Sequence, residues 1–358
     1  MHYSTYLVSI LLLHYTSVSI NALQSPGSGV STAAVTTTTT TTTPIPVLVS
    51  GASGRTGQLV FSALLQDPRY HPKALVRTEK SAKKLQKAIP ATQLDQIFIC
   101  DVTTLQQDEQ QQPLLTGVGN CQALVICTSA VPKISKLSLV RAFLKIPYNL
   151  IRGRKAIDFR SFRFVWQGQQ YPELVDYKGQ VAQIDFAKKV KIPHVVVVGS
   201  MGGTDTSNFL NQVGKTTLKN GTVTGNGDIL VWKRSAERYL VNSGLDYTII
   251  HPGGLVDTPA GVEEYVLDVN DVLLNNTKRS ISREDVANLC VAAISLYQPG
   301  QTKIALDCIT RPVTVVSDDS IDGDGTTTTT TAGTTKIPTA TEALEQFLKK
   351  GKVYNYEL

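Results

Sequence analysis

Three glycines spaced three residues apart, Gly51, Gly54 and Gly57, lie between two apolar segments of the sequence. They follow the apolar run Ile45–Ser50 and precede an amphipathic segment at 58–66. Glycines there let the backbone approach a pyrophosphate, and the N-terminus of the following helix offers unpaired N–H groups. The spacing is GxxGxxG rather than GxGxxG. We therefore predict a dinucleotide-binding loop from the position of these glycines between a strand and a helix. The alternative is a purely structural turn.

The second apolar run, residues 73–76, ends at Arg77. An acidic residue at this point would bind a ribose 2′-hydroxyl and favour NAD, whereas an arginine suits the 2′-phosphate of NADP. We therefore predict NADP(H) over NAD(H), with Arg55 in the glycine loop as a second cation. Lysines 80, 83 and 84 lie just beyond, and for them a solvated helix face is the alternative.

Five further apolar runs end in small or polar residues. They are residues 97–100, 123–127, 195–198, 247–250 and 303–306. Helical segments predicted at 173–190, 228–242, 283–296 and 341–350 fill most of the intervals. This alternation predicts an α/β fold with a doubly wound parallel sheet, whose ligands collect at the carboxyl ends of the strands. Asp101 at one such end is predicted to bind the adenine amino group or, alternatively, to cap a helix.

Six segments resemble the atypical short-chain dehydrogenase/reductase family over about residues 46–350. They are VLVSGASGRTG (47–57), LVR (75–77), TSAVP (128–132), VVVGSMGG (196–203), ILVWKRSAE (229–237) and YTII (247–250). The resemblance implies an NAD(P)-binding Rossmann fold with a small C-terminal substrate lobe and a bound NADP(H). By position it also implies cofactor contacts from Gly51, Ser53, Gly54, Arg55, Thr56, Arg77, Asp101, Val102, Thr128 and Ser129.

The catalytic motif of the typical enzymes of this superfamily, Tyr-x-x-x-Lys, is absent. None of the 13 tyrosines has a lysine four residues later. Alignment on Lys233 puts Ile229 in the tyrosine position, so Lys233 keeps the predicted ribose-binding role while the general acid is missing. Ser200 stands where the catalytic serine is expected. His251 replaces a family arginine and is interpreted as a proton donor or, alternatively, as a structural residue.

Two functions fit this pattern. The first is an NADP(H)-dependent oxidoreductase that passes hydride to an unidentified small conjugated, quinone- or flavin-like acceptor, which takes its proton from water. The alternative is a non-catalytic NADP(H)-binding scaffold or redox sensor that acts through a partner or a membrane surface.

Composition excludes several other classes. Of 358 residues, 42% are hydrophobic and 18% are charged, which argues against a disordered protein. The five cysteines form no CxxC pair, so neither a disulfide scaffold nor a metal site is predicted. No apolar run reaches the length of about 18 residues that a transmembrane helix needs.

Positive charge is concentrated in one segment. Residues 133–163 contain nine Lys or Arg and one acid, so this insert has a net charge of +8. The rest of the chain has a net charge of −2, which gives +6 for the whole chain. Nucleic-acid binding by the whole surface is therefore not predicted. The insert is interpreted as a peripheral membrane contact, a cover for an acidic substrate or a solvated lid.

The sequence divides into three parts. Residues 1–22 resemble a signal peptide, and residues 23–44 form an uncharged Ser/Thr-rich linker or transit region. Together they resemble the bipartite plastid-targeting leaders of algae, with secretion or an ER-lumen location as the alternative. The predicted NAD(P)-binding domain spans 45–350 and includes a low-complexity surface loop at 317–335.

Overall fold

The computed structural model describes residues 43–105, 114–153, 163–166, 168, 170–218, 220–313 and 336–357. The predicted leader (1–22), almost all of the linker (23–44), the low-complexity loop (317–335) and part of the basic insert lie outside these ranges. The strands are β1 (Ile45–Ser50), β2 (Tyr70–Val76), β3 (Ile97–Ile99), β4 (Ala123–Ile126), β5 (Pro132–Ile134), β6 (Phe164–Trp166), β7 (His194–Val198), β8 (Lys215–Thr217), β9 (Val223–Gly225), β10 (Asp246–Pro252), β11 (Gly254–Val256), β12 (Glu264–Asp268), β13 (Ser280–Ser282) and β14 (Lys303–Arg311).

Eight of these strands form one sheet in the order β12-β14-β10-β7-β4-β1-β2-β3. All its neighbouring pairs are parallel except β12 with β14. Strands β4, β7 and β10 are buried along their whole length because helices cover both faces of the sheet. Continuous apolar runs are typical of such strands. The predicted doubly wound α/β fold is therefore confirmed.

The antiparallel edge strand β12 is a departure from the purely parallel sheet that we predicted. Its residues alternate between half-buried and buried, because only one face of the strand packs against the core. A search for continuous apolar runs misses such a strand. Three small two-stranded sheets, β5–β6, β8–β9 and β11–β13, were likewise not predicted.

The helices of the described chain pack on the two faces of the sheet or stand outside it. They are α1 (Arg55–Gln66), α2 (Glu79–Ala88), α3 (Lys136–Ile151), α4 (Gly179–Lys189), α5 (Ile229–Val241), α6 (Arg283–Ser295) and α7 (Ala340–Lys349). The single helix predicted at 173–190 is instead a π-helical segment, Glu173–Lys178, that leads into α4. Helix α1 packs against α6 and buries Val60, Phe61 and Leu64.

Among the residues described, no helix combines the length and the apolar character needed to cross a bilayer. Within the same ranges, no group of three or more His, Cys, Asp and Glu side chains is arranged to hold a metal ion. All five cysteines are free thiols.

Candidate cofactor site

A cavity of about 470 Å³ opens where β1, β2 and β4 end. Nine of the predicted cofactor residues line it: Gly51, Ser53, Gly54, Arg55, Thr56, Arg77, Val102, Thr128 and Ser129. The predicted Gly57, Asp101 and Lys233 are not part of its lining. The structure thus brings together residues from four separate segments of the sequence at one edge of the sheet.

The glycine loop fits closely between β4 and α1. Gly51 has φ +71°, and a Cβ there would come within 3.0 Å of the Cys127 carbonyl and the Thr128 nitrogen. A Cβ on Gly57 would lie 2.3 Å from the Gly51 carbonyl oxygen, so Gly57 allows the helix to approach the loop. Gly54 is the N-cap of α1 and no side chain caps this helix. The first turn therefore presents backbone N–H groups to an anion, as a pyrophosphate requires.

Arg77 is exposed at the end of β2 and faces the cavity together with Ser81 of α2. Thr78 caps α2 by accepting a hydrogen bond from the Ser81 nitrogen (3.2 Å). Lys84 Nζ donates to the Ser53 carbonyl oxygen (2.8 Å) and so connects α2 to the glycine loop. A guanidinium beside a hydroxyl suits a phosphate group. Our sequence analysis did not identify Ser81, which lies one helical turn beyond Arg77.

A third arginine, Arg283, also lines the cavity, and the sequence analysis did not predict it. Its Nη1 lies 2.6 Å from Asp257 Oδ1, and the other oxygen of Asp257 binds Arg55 of the glycine loop. Burial lowers the pKa of Arg283 below its usual value. Asp257 therefore connects the glycine loop to the start of α6 at the cavity mouth.

Asp101 makes local contacts outside the cavity lining. Its Oδ1 accepts hydrogen bonds from the Thr103 nitrogen (3.0 Å) and the Thr103 hydroxyl (2.8 Å). These contacts stabilise a local turn at 101–105 rather than cap a helix there, and adenine binding by Asp101 stays a prediction. Thr128, in contrast, is held at the cavity wall because Gln183 Nε2 donates to its hydroxyl oxygen (3.2 Å) and to the Gly179 carbonyl (2.8 Å).

Lys233 is buried and forms an ion pair with Asp176 of the π-helical segment. The Lys233 Nζ to Asp176 Oδ1 distance is 2.9 Å, and the two side chains are 8% and 0% exposed. Asp176 Oδ2 also accepts a hydrogen bond from the Ala130 nitrogen (3.1 Å). Burial raises the pKa of the Cys127 thiol in the cavity wall to about 12, and the Lys233 charge opposes this increase. Lys233 therefore lies behind the wall of the cavity, with its charge directed to Asp176.

Ser200, the second predicted catalytic residue, also lies outside the cavity lining. It is half-buried, and its hydroxyl donates to the Met201 carbonyl oxygen (3.2 Å). The structure therefore does not bring Ser200 and Lys233 into the cavity that the glycine loop forms.

His251 is buried, and its ring lies close to Gly199, the residue before Ser200. Its Nε2 lies 3.1 Å from Glu237 Oε2 and its Nδ1 lies 3.3 Å from Asp307 Oδ1. Burial opposes protonation of His251, but the two carboxylates outweigh it and raise its pKa to about 10. The ring also packs on Tyr354 at a centroid distance of 4.8 Å. These contacts favour the structural interpretation of His251 over a proton-donating role.

A family profile described as NAD(P)H-binding matches residues 51–296. The chain belongs to this NAD(P)H-binding family. The matched range begins at Gly51 of the glycine loop and ends just after α6, so it contains every segment that lines the cavity. The NAD(P)-binding family that the motifs predicted is therefore confirmed.

Curated relatives of this family support the same assignment. Sanguinarine reductase of Eschscholzia californica is 39% identical over 262 residues, which cover 71% of this chain and 85% of that protein. An uncharacterised chloroplastic protein of Arabidopsis thaliana is 37% identical over 269 residues, or 75% of this chain and 70% of that protein. A second chloroplastic protein of the same plant is 29% identical over 258 residues, which cover 69% and 71% of the two chains.

Proposed function

We propose that the chain is an NADP(H)-dependent reductase that passes hydride to a small conjugated, quinone- or flavin-like acceptor. The observation that carries this proposal is the joint lining of the cavity by the glycine loop and Arg77. The loop offers backbone N–H groups for a pyrophosphate, and Arg77 with Ser81 offers donors for a 2′-phosphate. The relative named as a reductase lends further support.

Within the part of the chain that the structure describes, the cavity lining contains no His, Asp, Glu or Tyr, and its one lysine, Lys133, is exposed to solvent. Its two thiols are poor acids near neutral pH because burial raises the pKa of Cys100 to about 11 and that of Cys127 to about 12. A bound nicotinamide would supply the hydride. The residues of the chain would bind and orient the two reactants, and the proton would come from water. Electrophilic rings suit this arrangement better than an unactivated ketone, which needs a positioned acid.

The cofactor is tested by titrating the wild-type chain and Arg77→Ala with NADPH and with NADH. A charge-assisted hydrogen bond contributes about 1.5–3 kcal/mol, so we expect a roughly 10- to 100-fold loss of NADPH affinity and unchanged NADH affinity. Lys87→Ala is the control, because Lys87 is exposed on α2 and outside the cavity lining. Equal losses for both nucleotides would contradict a 2′-phosphate role for Arg77.

The reaction is tested by following NADPH oxidation with quinones, flavins and sanguinarine as acceptors. Turnover with one acceptor class, together with its loss in Gly54→Trp, would support the reductase. Gly54 lines the cavity, and a large side chain there would fill the cofactor loop. NADPH binding without oxidation by any of these acceptors would contradict the proposal.

A non-catalytic NADP(H)-binding protein is the second candidate, and the buried Lys233–Asp176 pair favours it. An ammonium held by a carboxylate at 2.9 Å is less available to a nicotinamide ribose. Ile229 in the tyrosine position points the same way. Stoichiometric binding of NADPH without turnover would support this alternative.

We further propose a plastid location. The proposal rests on the resemblance of residues 1–44 to a bipartite leader and on the chloroplastic relatives. The test is the localisation of a fluorescent protein fused behind residues 1–44 in an alga with complex plastids. Fluorescence in the plastid would support the proposal, and fluorescence confined to the ER or the medium would contradict it.

A further inference from the structure

Helix α3 presents an apolar face to solvent. Leu137, Val140, Leu144, Tyr148 and Ile151 recur at the three- and four-residue spacing of one helical face. Their exposed fractions lie between 51% and 85%, with Leu144 at 75% and Ile151 at 85%. Phe143, which is 55% exposed, extends this face on one side. Side chains of this size are normally covered, so the face indicates a binding surface.

Basic residues accompany this face without any acid. The sequence from 133 to 153 contains five Lys or Arg and no Asp or Glu. Helical spacing places Arg141 at the border of the apolar face, one turn after Leu137. At the end of the helix, the Arg152 guanidinium lies 4.8 Å from the centre of the Tyr148 ring. Aromatic and basic side chains at the edge of an apolar face are typical of helices that lie at a lipid headgroup boundary.

The start of α3 is held by the folded domain at the rim of the cofactor cavity. The Ser135 nitrogen donates to the Arg163 carbonyl (2.8 Å), which connects the start of α3 to β6. The Trp166 indole of β6 donates in turn to the Asn226 carbonyl. Lys133 of β5, on the partner strand, lines the cavity. The N-terminal end of α3 is therefore connected to the cavity mouth.

We propose that α3 docks the protein onto an anionic lipid membrane. Burial of the apolar face in the acyl boundary would remove it from water, while the basic residues would meet the lipid phosphates. A second copy packed on the same face would bring two sets of like charges together, and such juxtaposition costs free energy. Charge complementarity therefore favours an anionic bilayer over a homodimer. This inference does not depend on the reaction that the cavity supports.

The test uses the full chain in flotation with vesicles of phosphatidylcholine alone and of an equimolar mixture of phosphatidylcholine and phosphatidylglycerol. We expect binding to the mixed vesicles and a weakening of that binding as salt is raised. The variant Phe143→Ser/Leu144→Ser should lower the partition coefficient by at least about tenfold, because two large apolar groups are lost. Leu94→Ser/Val223→Ser is the control, since these side chains are 77% and 55% exposed outside α3. Both variants should keep wild-type NADPH affinity.

Hydrogen exchange locates the contact within the chain. Mixed vesicles should protect the amides of residues 136–151, whereas protection confined to residues 1–22 would assign the binding to the leader and overturn the proposal. Equal binding to neutral vesicles would also overturn it. So would a dimer that dissociates in Phe143→Ser/Leu144→Ser without any vesicle binding, because the occupant of the face would then be a second copy. The proposal would likewise be overturned if α3 bound an acidic protein and the chain bound neither kind of vesicle.

Discussion

The Lys233–Asp176 pair leads to a prediction that separates structural from cofactor-binding roles for Lys233. Removal of one partner of a buried ion pair typically costs about 3–5 kcal/mol, because the other charge stays buried without compensation. Lys233 and Asp176 meet this condition, since their side chains are 8% and 0% exposed. We therefore expect Lys233→Met and Asp176→Asn each to lower the free energy of unfolding by about that amount. The double variant should lose much less than the sum of the two, because it leaves no unpaired charge.

Urea unfolding of the four proteins in this cycle measures the interaction free energy directly. Lys178→Met is the matched control, because Lys178 pairs with Glu173 at 2.8 Å but its side chain is 57% exposed. Water screens exposed ion pairs, so this variant should hardly change the free energy of unfolding. The reasoning would be refuted if Lys233→Met were as mild as the control and instead reduced NADPH affinity more than tenfold. Lys233 would then be available to the cofactor, as the sequence alignment predicts.

Three further predictions concern the neighbourhood of the cavity. Asp257→Asn removes the carboxylate that binds Arg55 and so leaves that guanidinium available to a phosphate. NADPH affinity, measured by titration, should therefore rise several-fold. A decrease would contradict this, because the ion pair would then be needed to form the site. His251, with its pKa raised from 6.5 to about 10, should stabilise the fold fully below about pH 6.5 and lose that contribution as pH rises through 10. The pH dependence of urea unfolding checks this, and the same slope in His251→Gln would contradict it. Gly57→Ala puts a Cβ 2.3 Å from a loop carbonyl, so it should lower the free energy of unfolding in urea by about 1–3 kcal/mol. Gly254→Ala, whose Cβ would lie 3.6 Å from its nearest atom, should lower it much less. Equal losses in the two variants would contradict the packing argument.

Much of the fold could be predicted because the central strands are buried on both faces. Strands β1, β4, β7 and β10 therefore appear as short apolar runs that no helical period disturbs. The edge strand β12 could not be found in this way, since its alternating pattern reflects one solvated face. The π-helical form of Glu173–Lys178 depends on its packing and leaves no mark in the apolar spacing.

The cavity residues that are close together in sequence could be predicted, whereas those that only folding brings together could not. The glycine loop is contiguous in sequence and carries its own spacing, so its residues could be named in advance. Arg283 comes from α6, more than 200 residues later, and only the packing of α1 against α6 brings it to the loop. A single sequence contains no spacing that relates these two segments.

For Lys233, alignment to the motif predicts the position of the residue but not its contacts. The motif gives its position on α5, but the partner of its charge lies 57 residues earlier in the sequence, on the π-helical segment. Since an ammonium paired in the protein interior would have to give up that carboxylate to bind a ribose, a retained lysine does not by itself imply a retained role. The same argument applies to Ser200, whose hydroxyl is bonded to the next residue and lies outside the cavity lining. With Ile229 in the tyrosine position, the proton donor of the motif is missing, and this is why we propose an acceptor that needs no positioned acid.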